Sequence, residues 1–225
     1  MNPKQRAAEA AMQFVKSGMR LGLGTGSTAD FFLVALSQAI RDGKLHKIVG
    51  VPSSVQSERR AKELEIPLAK LEETGVLDIT VDGADEIAPI LDLIKGLGGA
   101  LLREKIVAQN SKQLIIIADE SKKVSALGER AALPVEVAQF AHGAHMKFFE
   151  SLGCEPLLRT DEKQKTFITD NGNVIYDCRF RRIENVLELH TKLLARAGVV
   201  ETGLFLGMKP IALVGDQKGI ERLGG

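Results

Sequence analysis

The sequence predicts an α/β protein with a doubly wound, mostly parallel sheet, helices on both faces, and a smaller ferredoxin-like α+β lobe. Short apolar strands alternate with amphipathic helices through the first 130 residues, which is the pattern of a parallel sheet covered on both faces. After Pro134 the predicted order becomes β-α-β-β-α-β, which is typical of a ferredoxin-like module. We therefore expect a main domain formed by 1–130 and 206–225, and a lobe formed by 131–205.

The elements of the main domain follow from the spacing of apolar residues. Helices are predicted at 3–17, 28–41, 54–65 and 101–110. Short apolar strands are predicted at 19–23, 47–51, 67–69, 78–81, 113–118 and 211–214. The last of these strands follows the lobe, and we expect it to return to the first sheet.

The lobe is predicted from a shorter set of elements. A strand at 135–137, a helix at 138–152, a helix at 183–197 and a strand at 199–205 surround a hairpin. The turn of that hairpin is TDNGN at 169–173, because its Asn-Gly pair accepts the positive φ angles of a tight reversal.

Composition and charge exclude several classes of protein. The 225 residues are 44% hydrophobic and carry 30 basic against 29 acidic side chains, so nothing requires a nucleic-acid partner, whose binding depends on a basic excess. No apolar run reaches the ~18–20 residues that span a bilayer, and the N-terminal stretch lacks the apolar core of a signal peptide. The two cysteines have no CxxC spacing, so neither a disulfide framework nor a zinc site is favoured. We expect a cytoplasmic protein.

A glycine-rich turn between a strand and a helix is the first candidate site. The segment GLGTGST at 22–28 places glycines where a backbone can approach a ligand, and free N–H groups where a helix begins, and both favour an anion. A Walker A loop needs lysine where Gly26 stands. A dinucleotide-binding turn needs a third glycine where Ser27 stands, and an acidic residue after the next strand. A single phosphate fits what remains, and a tight turn capped by Ser27 or Thr28 is the structural alternative.

Carboxylates and lysines follow at the predicted carboxyl ends of later strands, where ligands bind in open α/β sheets. Asp82 and Asp85 lie in the segment DGADE, and Lys95 begins a second glycine-rich segment. Lys122 follows another strand. An anion site, carboxylates and lysines together are what general acid–base chemistry on a phosphorylated polyol requires. An acidic surface turn and a Mg²⁺ site are the alternatives for the carboxylates.

Other titratable groups have plain structural interpretations. Glu104 lies in the run Arg-Glu-Lys, which its composition assigns to a solvated helix face. His142 and His145 are separated by one helical turn, but no third ligand flanks them, so a metal site is not favoured. No serine or cysteine has a histidine base nearby in sequence, so nothing indicates nucleophilic catalysis.

Five segments resemble the A type of ribose-5-phosphate isomerase. They are GLGTGST at 22–28, VDGADEI at 81–87, KGLGGALLREKIVA at 95–108, ADESKKV at 118–124 and LPVEV at 133–137. Their order and spacing agree with that family, and the likeness runs from the first helix to the last strand. One departure is Leu97, where the family often has glycine. A side chain there is expected to narrow the crevice or to keep φ negative.

The resemblance implies an enzyme that interconverts ribose 5-phosphate and ribulose 5-phosphate through a cis-enediolate. It also implies an assembly of identical subunits, a homodimer or homotetramer, without a metal or an organic cofactor. By the same resemblance, Glu104 is the general base, and Asp82, Asp85 and Lys95 are further catalytic residues. The substrate-binding residues that it implies are Lys4, Thr25, Gly26, Ser27, Thr28, Gly83, Ala84, Gly96, Leu97, Gly98 and Lys122.

Other functions are separated from this one by particular features. A sugar-phosphate-binding regulatory protein without turnover needs a DNA-binding segment, and the stretch before the first predicted strand is too short for a helix-turn-helix. A nucleotide-dependent enzyme is opposed by the missing third glycine, the missing acid and the missing Walker lysine. Against an isomerase or deaminase that acts on another sugar phosphate, the only argument is the resemblance of the five segments to ribose-5-phosphate isomerase.

Overall fold

The computed structural model describes residues 2–225. Its strands in chain order are β1 (Arg20–Leu23), β2 (Val49–Pro52), β3 (Ile79–Asp82), β4 (Glu86–Ile87), β5 (Leu93–Ile94), β6 (Leu114–Asp119), β7 (Leu133–Val137), β8 (Glu155–Leu158), β9 (Val174–Arg179), β10 (Val199–Thr202), β11 (Leu204–Phe205), β12 (Ile211–Gly215) and β13 (Ile220–Leu223). Its α-helices are α1 (Pro3–Ala11), α2 (Ser27–Arg41), α3 (Val55–Glu63), α4 (Leu71–Thr74), α5 (Leu101–Gln109), α6 (Met146–Ser151) and α7 (Val186–Leu194). Nowhere in residues 2–225 is a helix long and apolar enough to cross a membrane.

The chain divides into two compact units, whose bounds differ from the predicted domains. The first unit contains the described residues up to Ala84, Arg103–Lys122 and Met208–Gly225, and the second contains Asp85–Leu102 and Lys123–Gly207. The sequence prediction places 85–102 and 123–130 in the main domain. They belong to the second unit because β4 and β5 pair with β11, and because residues 128–131 bind a side chain of β4.

The first unit is built on a six-stranded sheet of order β13-β12-β6-β3-β1-β2. All neighbouring strands are parallel except β12 and β13, which are antiparallel. Leu21 and Leu23 of β1 pack in one core with Phe32 of α2 and the small residues of α1. Gly22 faces the other side, where an added Cβ would overlap Thr80 and lie 2.7 Å from Val107 of α5. Helices therefore cover both faces, as the sequence predicts.

The second unit contains the predicted ferredoxin-like module. Its four antiparallel strands have the order β10-β7-β9-β8, and α6 and α7 follow β7 and β9 along the chain. The turn at 169–173 forms directly before β9, with Gly172 at φ 78° and the Thr169 N–H donating to the Asn173 carbonyl at 2.9 Å. A further three-stranded sheet of order β11-β5-β4 belongs to the same unit and was not predicted from the sequence.

Several predicted boundaries are wrong. Of the strand at 67–69, only Leu68 forms a bridge, to Gly50. The helix at 138–152 does not begin until a 3₁₀ turn at His142–His145, because Ala141 has a left-handed φ of 52°. The strand at 199–205 is divided at Gly203, whose N–H donates to the Pro134 carbonyl at 2.7 Å, so β10 and β11 join different sheets.

We expect Glu86→Gln to destabilise the second unit. Glu86 is 0% exposed, and its carboxylate accepts the N–H groups of Gly128 at 2.6 Å, Arg130 at 2.6 Å and Ala131 at 2.7 Å. The amide nitrogen of glutamine cannot accept, so at least one buried donor loses its partner. The free energy of unfolding should fall by about 1.5–3 kcal/mol, which lowers the melting temperature by about 3–12 °C. Calorimetry would measure this, with the exposed Glu162→Gln as control. Equal melting temperatures for both variants would contradict the prediction.

Candidate active site

The turn between β1 and α2, in the first unit, has the backbone geometry that favours binding of an anion. Gly26 occupies the position before α2 with φ 104° and ψ 177°, and no side chain caps the helix within the described residues. The structural alternative, a cap by Ser27 or Thr28, is therefore not observed. α2 is 15 residues long, so its first N–H groups and its dipole favour a negative charge at this end.

Two predicted lysines lie at the same edge of the sheet. Lys4 Nζ donates to Ser27 Oγ at 3.1 Å, which places its charge at the start of α2. Asp119, the last residue of β6, is close enough to both Lys4 and Lys122 to feel their charges. Burial alone would raise the pKa of Asp119, but hydrogen bonds from Ser121 and the charges of both lysines hold that pKa below its usual value. Cationic side chains therefore accompany the free N–H groups.

Asp82 fastens the anion-binding turn to the end of β3. Its Oδ1 accepts the Thr25 N–H at 3.0 Å and the Gly83 N–H at 2.7 Å. Gly24 leaves the space for this carboxylate, because a Cβ there would overlap the Asp82 side chain. Ala84 follows in the same loop, half-buried. The structure thus brings predicted residues of two segments, around 25 and around 82, into direct contact.

Two serines that the sequence analysis did not propose support the same turn. Thr25 Oγ1 lies 3.0 Å from Ser53 Oγ and donates to Ser54 Oγ at 2.8 Å. Both serines are buried and follow β2, the neighbour of β1 in the sheet. Their position after a strand of the parallel sheet was the available indication, since ligand-binding residues concentrate at that edge.

Glu104 lies on the buried side of α5, contrary to the interpretation from composition. The Glu104 side chain is 3% exposed and that of Lys105 is 4% exposed, whereas Ile106 is 41% exposed. Charged groups are rarely buried unless they are paired or functional, because burial removes their hydration. The structure thus places Glu104 and Lys105 on the buried side of the helix and the apolar Ile106 on the exposed side, the reverse of what composition predicts.

The remaining predicted residues form a loop in the second unit. Asp85 binds the main chain on both sides of the start of this loop: its N–H donates to the carbonyl of Ile94, the last residue of β5, at 2.8 Å, and its Oδ2 accepts the Leu97 N–H at 3.0 Å. Gly96 has a positive φ of 102°, whereas Leu97 does not, and Leu97 and Gly98 are exposed. The backbone contact at Leu97 is thus made with its side chain in solvent.

Lys95 begins the loop and is held in place by the same unit. It is 2% exposed, and its Nζ lies 5.4 Å from the centroid of the Phe205 ring. Its N–H donates to the Gly203 carbonyl at 2.9 Å. A buried ammonium beside an aromatic face is a fixed positive charge.

His142 and His145, the two histidines weighed as metal ligands, pack within the second unit. His142 Nδ1 lies 2.9 Å from the Tyr176 hydroxyl, and the His145 ring stacks on Phe149. Across residues 2–225, no three or more His, Cys, Asp or Glu side chains are grouped so as to hold a metal ion.

The fold of the first unit and its uncapped turn before α2 are those of an α/β protein with a turn suited to a phosphate. The model of one family, described as ribose 5-phosphate isomerase A (phosphoriboisomerase A), matches residues 49–219. The ribose-5-phosphate isomerase A of Bacillus mycoides (strain KBAB4) is 52% identical over 222 residues, covering 98% of this chain and 99% of that protein. This chain therefore belongs to the ribose-5-phosphate isomerase A family.

Solved structures give the same result. The ribose 5-phosphate isomerase from Plasmodium falciparum is 39% identical, with a TM-score of 0.95 over 100% of this chain and 99% of that chain. A D-ribose-5-phosphate isomerase solved in complex with phospho-erythronic acid is 37% identical, with a TM-score of 0.96 over 100% of both chains. The likeness therefore extends over both units, including the lobe.

Proposed function

We propose that this chain is an aldose–ketose isomerase that interconverts D-ribose 5-phosphate and D-ribulose 5-phosphate. The observation that carries the proposal is the buried carboxylate of Glu104, 3% exposed, in a chain of this family. Isomerisation of a sugar phosphate needs a base that removes a proton from carbon, and a carboxylate shielded from water is suited to that task.

The anion site binds the phosphate of the substrate. The N–H groups of Gly26, Ser27 and Thr28 and the hydroxyls of Ser27 and Thr28 surround the phosphate oxygens. Thr25, whose N–H and hydroxyl are held by Asp82 and Ser54, begins this binding turn, and Lys4 and Lys122 supply positive charge. Binding energy from this non-reacting end of the sugar positions the reacting carbons, which raises turnover.

The chemistry takes place at C1 and C2. Asp82 and Asp85, with the adjacent backbone of Gly83 and Ala84, hold sugar hydroxyls and assist opening of the furanose ring by moving a proton to the ring oxygen. Glu104 removes the proton from C2, the electrons of that bond form the C1–C2 double bond of the cis-enediolate, and negative charge moves to the C1 oxygen. The hydroxyl proton of the C2 oxygen passes to the C1 oxygen. Glu104 then returns its proton to C1, which leaves the carbonyl at C2 and completes the aldose-to-ketose shift.

The enediolate is stabilised by fixed donors. Lys95 faces negative charge that develops only as the intermediate forms, and preorganised charge of this kind often contributes more to catalysis than any other single effect. The backbone of Gly96, Leu97 and Gly98 lines the same end of the substrate. Phospho-erythronic acid, bound by a similar isomerase, supports this chemistry because its planar carboxylate resembles the enediolate and it carries a phosphate.

The proposal also includes the pathway, the compartment, the cofactor requirement and the subunit assembly. The reaction belongs to the non-oxidative pentose phosphate pathway, in the cytoplasm, and requires neither metal nor organic cofactor. The subunits form a homodimer or homotetramer, with contacts from the lobe at 131–205.

We expect the purified protein to convert ribose 5-phosphate to ketose at an undiminished rate after EDTA treatment, because a carboxylate base and a lysine replace the Lewis acid. Ketose formation would be followed directly, with glucosamine 6-phosphate and ammonia release as a parallel assay. Activity lost with EDTA and restored by Mg²⁺ would instead identify the carboxylates as metal ligands. Ammonia release without ketose formation would indicate a deaminase, and tight binding without either product would indicate a regulatory protein.

A further inference from the structure

Arg159 and Asp177 form a partly buried ion pair beside the Lys95–Gly99 loop in the second unit. Arg159 follows β8, and its Nε and Nη2 donate to the two carboxylate oxygens of Asp177, the former at 2.8 Å. The Arg159 side chain is 11% exposed. Its own main chain is fixed as well: the N–H donates to Ile175 and the carbonyl accepts from Phe167, both at 2.9 Å. Such a bidentate ion pair has a defined geometry, so the orientation of the guanidinium is fixed.

The third nitrogen of the guanidinium binds the loop itself. Arg159 Nη1 donates to the Gly96 carbonyl at 3.0 Å and to the Leu97 carbonyl at 3.1 Å. In a trans peptide the carbonyl and the following N–H point in opposite directions. Holding both carbonyls toward Arg159 therefore turns the N–H groups of Leu97 and Gly98 away from it, and the Leu97 N–H meets the Asp85 carboxylate at 3.0 Å.

Packing around Arg159 fixes the far end of the loop. Its guanidinium lies 5.9 Å from the centroid of the Phe167 ring, and a Cβ at Gly99 would lie 2.5 Å from that ring. Gly99 has a φ of 86°, and its N–H donates to the Gly96 carbonyl at 2.9 Å. With Lys95 tied to Gly203 at the other end, the loop is restrained along its whole length.

We propose that Arg159, held by Asp177, is a positioning residue for the isomerisation: it orients the Lys95–Gly99 loop toward Asp85 and the reacting end of the sugar. This inference rests on the proposed function. Arg159 acts through the loop and makes no contact with substrate. This role requires arginine and not merely a positive charge. A guanidinium reaches one carboxylate and two carbonyls at fixed angles, whereas the ammonium of lysine is a point charge that cannot reproduce this geometry.

The test is Arg159→Lys, assayed for turnover of ribose 5-phosphate over a range of substrate concentrations. Lysine keeps the charge beside Asp177, so the lobe should still fold. We expect kcat to fall by about 10–100-fold with a smaller change in KM, since misplacement of reacting groups by about 1 Å has effects of that size. The matched control is Arg179→Lys, because Arg179 Nη1 donates to the Arg130 carbonyl at 2.6 Å, outside this loop. Its kcat should equal that of the unchanged protein.

A second variant separates positioning from stability. Asp177→Asn leaves Arg159 in place but removes the carboxylate that orients it, so kcat should fall in the same way. The kcat of the double variant, Arg159→Lys with Asp177→Asn, should be little lower than that of either single variant, because both residues act through the same interaction with the loop. Melting temperatures of all variants would be measured alongside.

The possible outcomes are distinct. Lower melting temperatures with unchanged kcat in Arg159→Lys and Asp177→Asn would overturn the inference and leave a structural ion pair. Losses of kcat that multiply in the double variant would also overturn it, since they would show two independent effects. If the unchanged protein itself does not isomerise ribose 5-phosphate, the proposed function fails, which is a different result from failure of the inference alone.

Discussion

Glu104→Gln is expected to lower kcat by about 10²–10⁴-fold, because it removes the base and keeps the shape of the side chain. Glu104 is 3% exposed on α5, so water cannot readily take its place. The measurement is steady-state turnover of ribose 5-phosphate, together with exchange of the C2 proton of the substrate into solvent. Both should fall together, since exchange requires the same proton abstraction, and KM should change little.

A suitable control for this variant is Glu72→Gln, an exposed glutamate of the same unit. It makes the same chemical change without touching a proposed catalytic group. Near-normal turnover by the Glu104 variant would reject Glu104 as the base. Lost turnover with normal exchange would assign Glu104 to a step after proton abstraction.

Lys95→Ala is expected to have the second largest effect, a loss of about 10²–10³-fold in kcat with a smaller rise in KM. The charge of Lys95 is buried and held over the Phe205 ring, so it is already in place when the enediolate forms. An interaction made mainly in the transition state lowers kcat and kcat/KM together. Steady-state kinetics would measure both constants.

The exposed Lys165→Ala, in the same unit, controls for loss of a positive charge in general. Its kinetic constants should match those of the unchanged protein. If the Lys95 variant showed only a higher KM, Lys95 would be a substrate-binding group without a role in stabilising the intermediate.

Local pattern was sufficient for most of the fold. The continuous apolar run of β6 predicts a buried central strand, and Asn-Gly at 171–172 predicts the turn before β9, because both depend on neighbours in the chain. The three-stranded sheet could not be predicted in this way. Its members are two-residue strands, and β11 pairs with β5 more than 100 positions earlier, so no local periodicity marks it.

The candidate site also has parts that the local sequence indicates and parts that it does not. Glycine spacing at 22–28 and the segment DGADE indicate chemistry because few sequences place glycines and carboxylates in that way. Arg159 and Asp177 gave no such indication: each is a common charged residue in a module of ordinary composition. Their importance follows from hydrogen bonds to Gly96 and Leu97, which are more than 60 positions away.

The sequence by itself determined the fold class and, through its resemblance to a family, the isomerisation, and it predicted the anion-binding turn and Glu104 as the base. These depend on short segments whose residue types have direct chemical meaning. Only the tertiary structure decided that Glu104 is buried while Ile106 is exposed, that Asp82 supports Thr25, and that Ser53 and Ser54 belong to the same turn. The physical reason is that burial and hydrogen-bond partners are set by strand order in the sheet, and strand order joins residues that are distant in the chain.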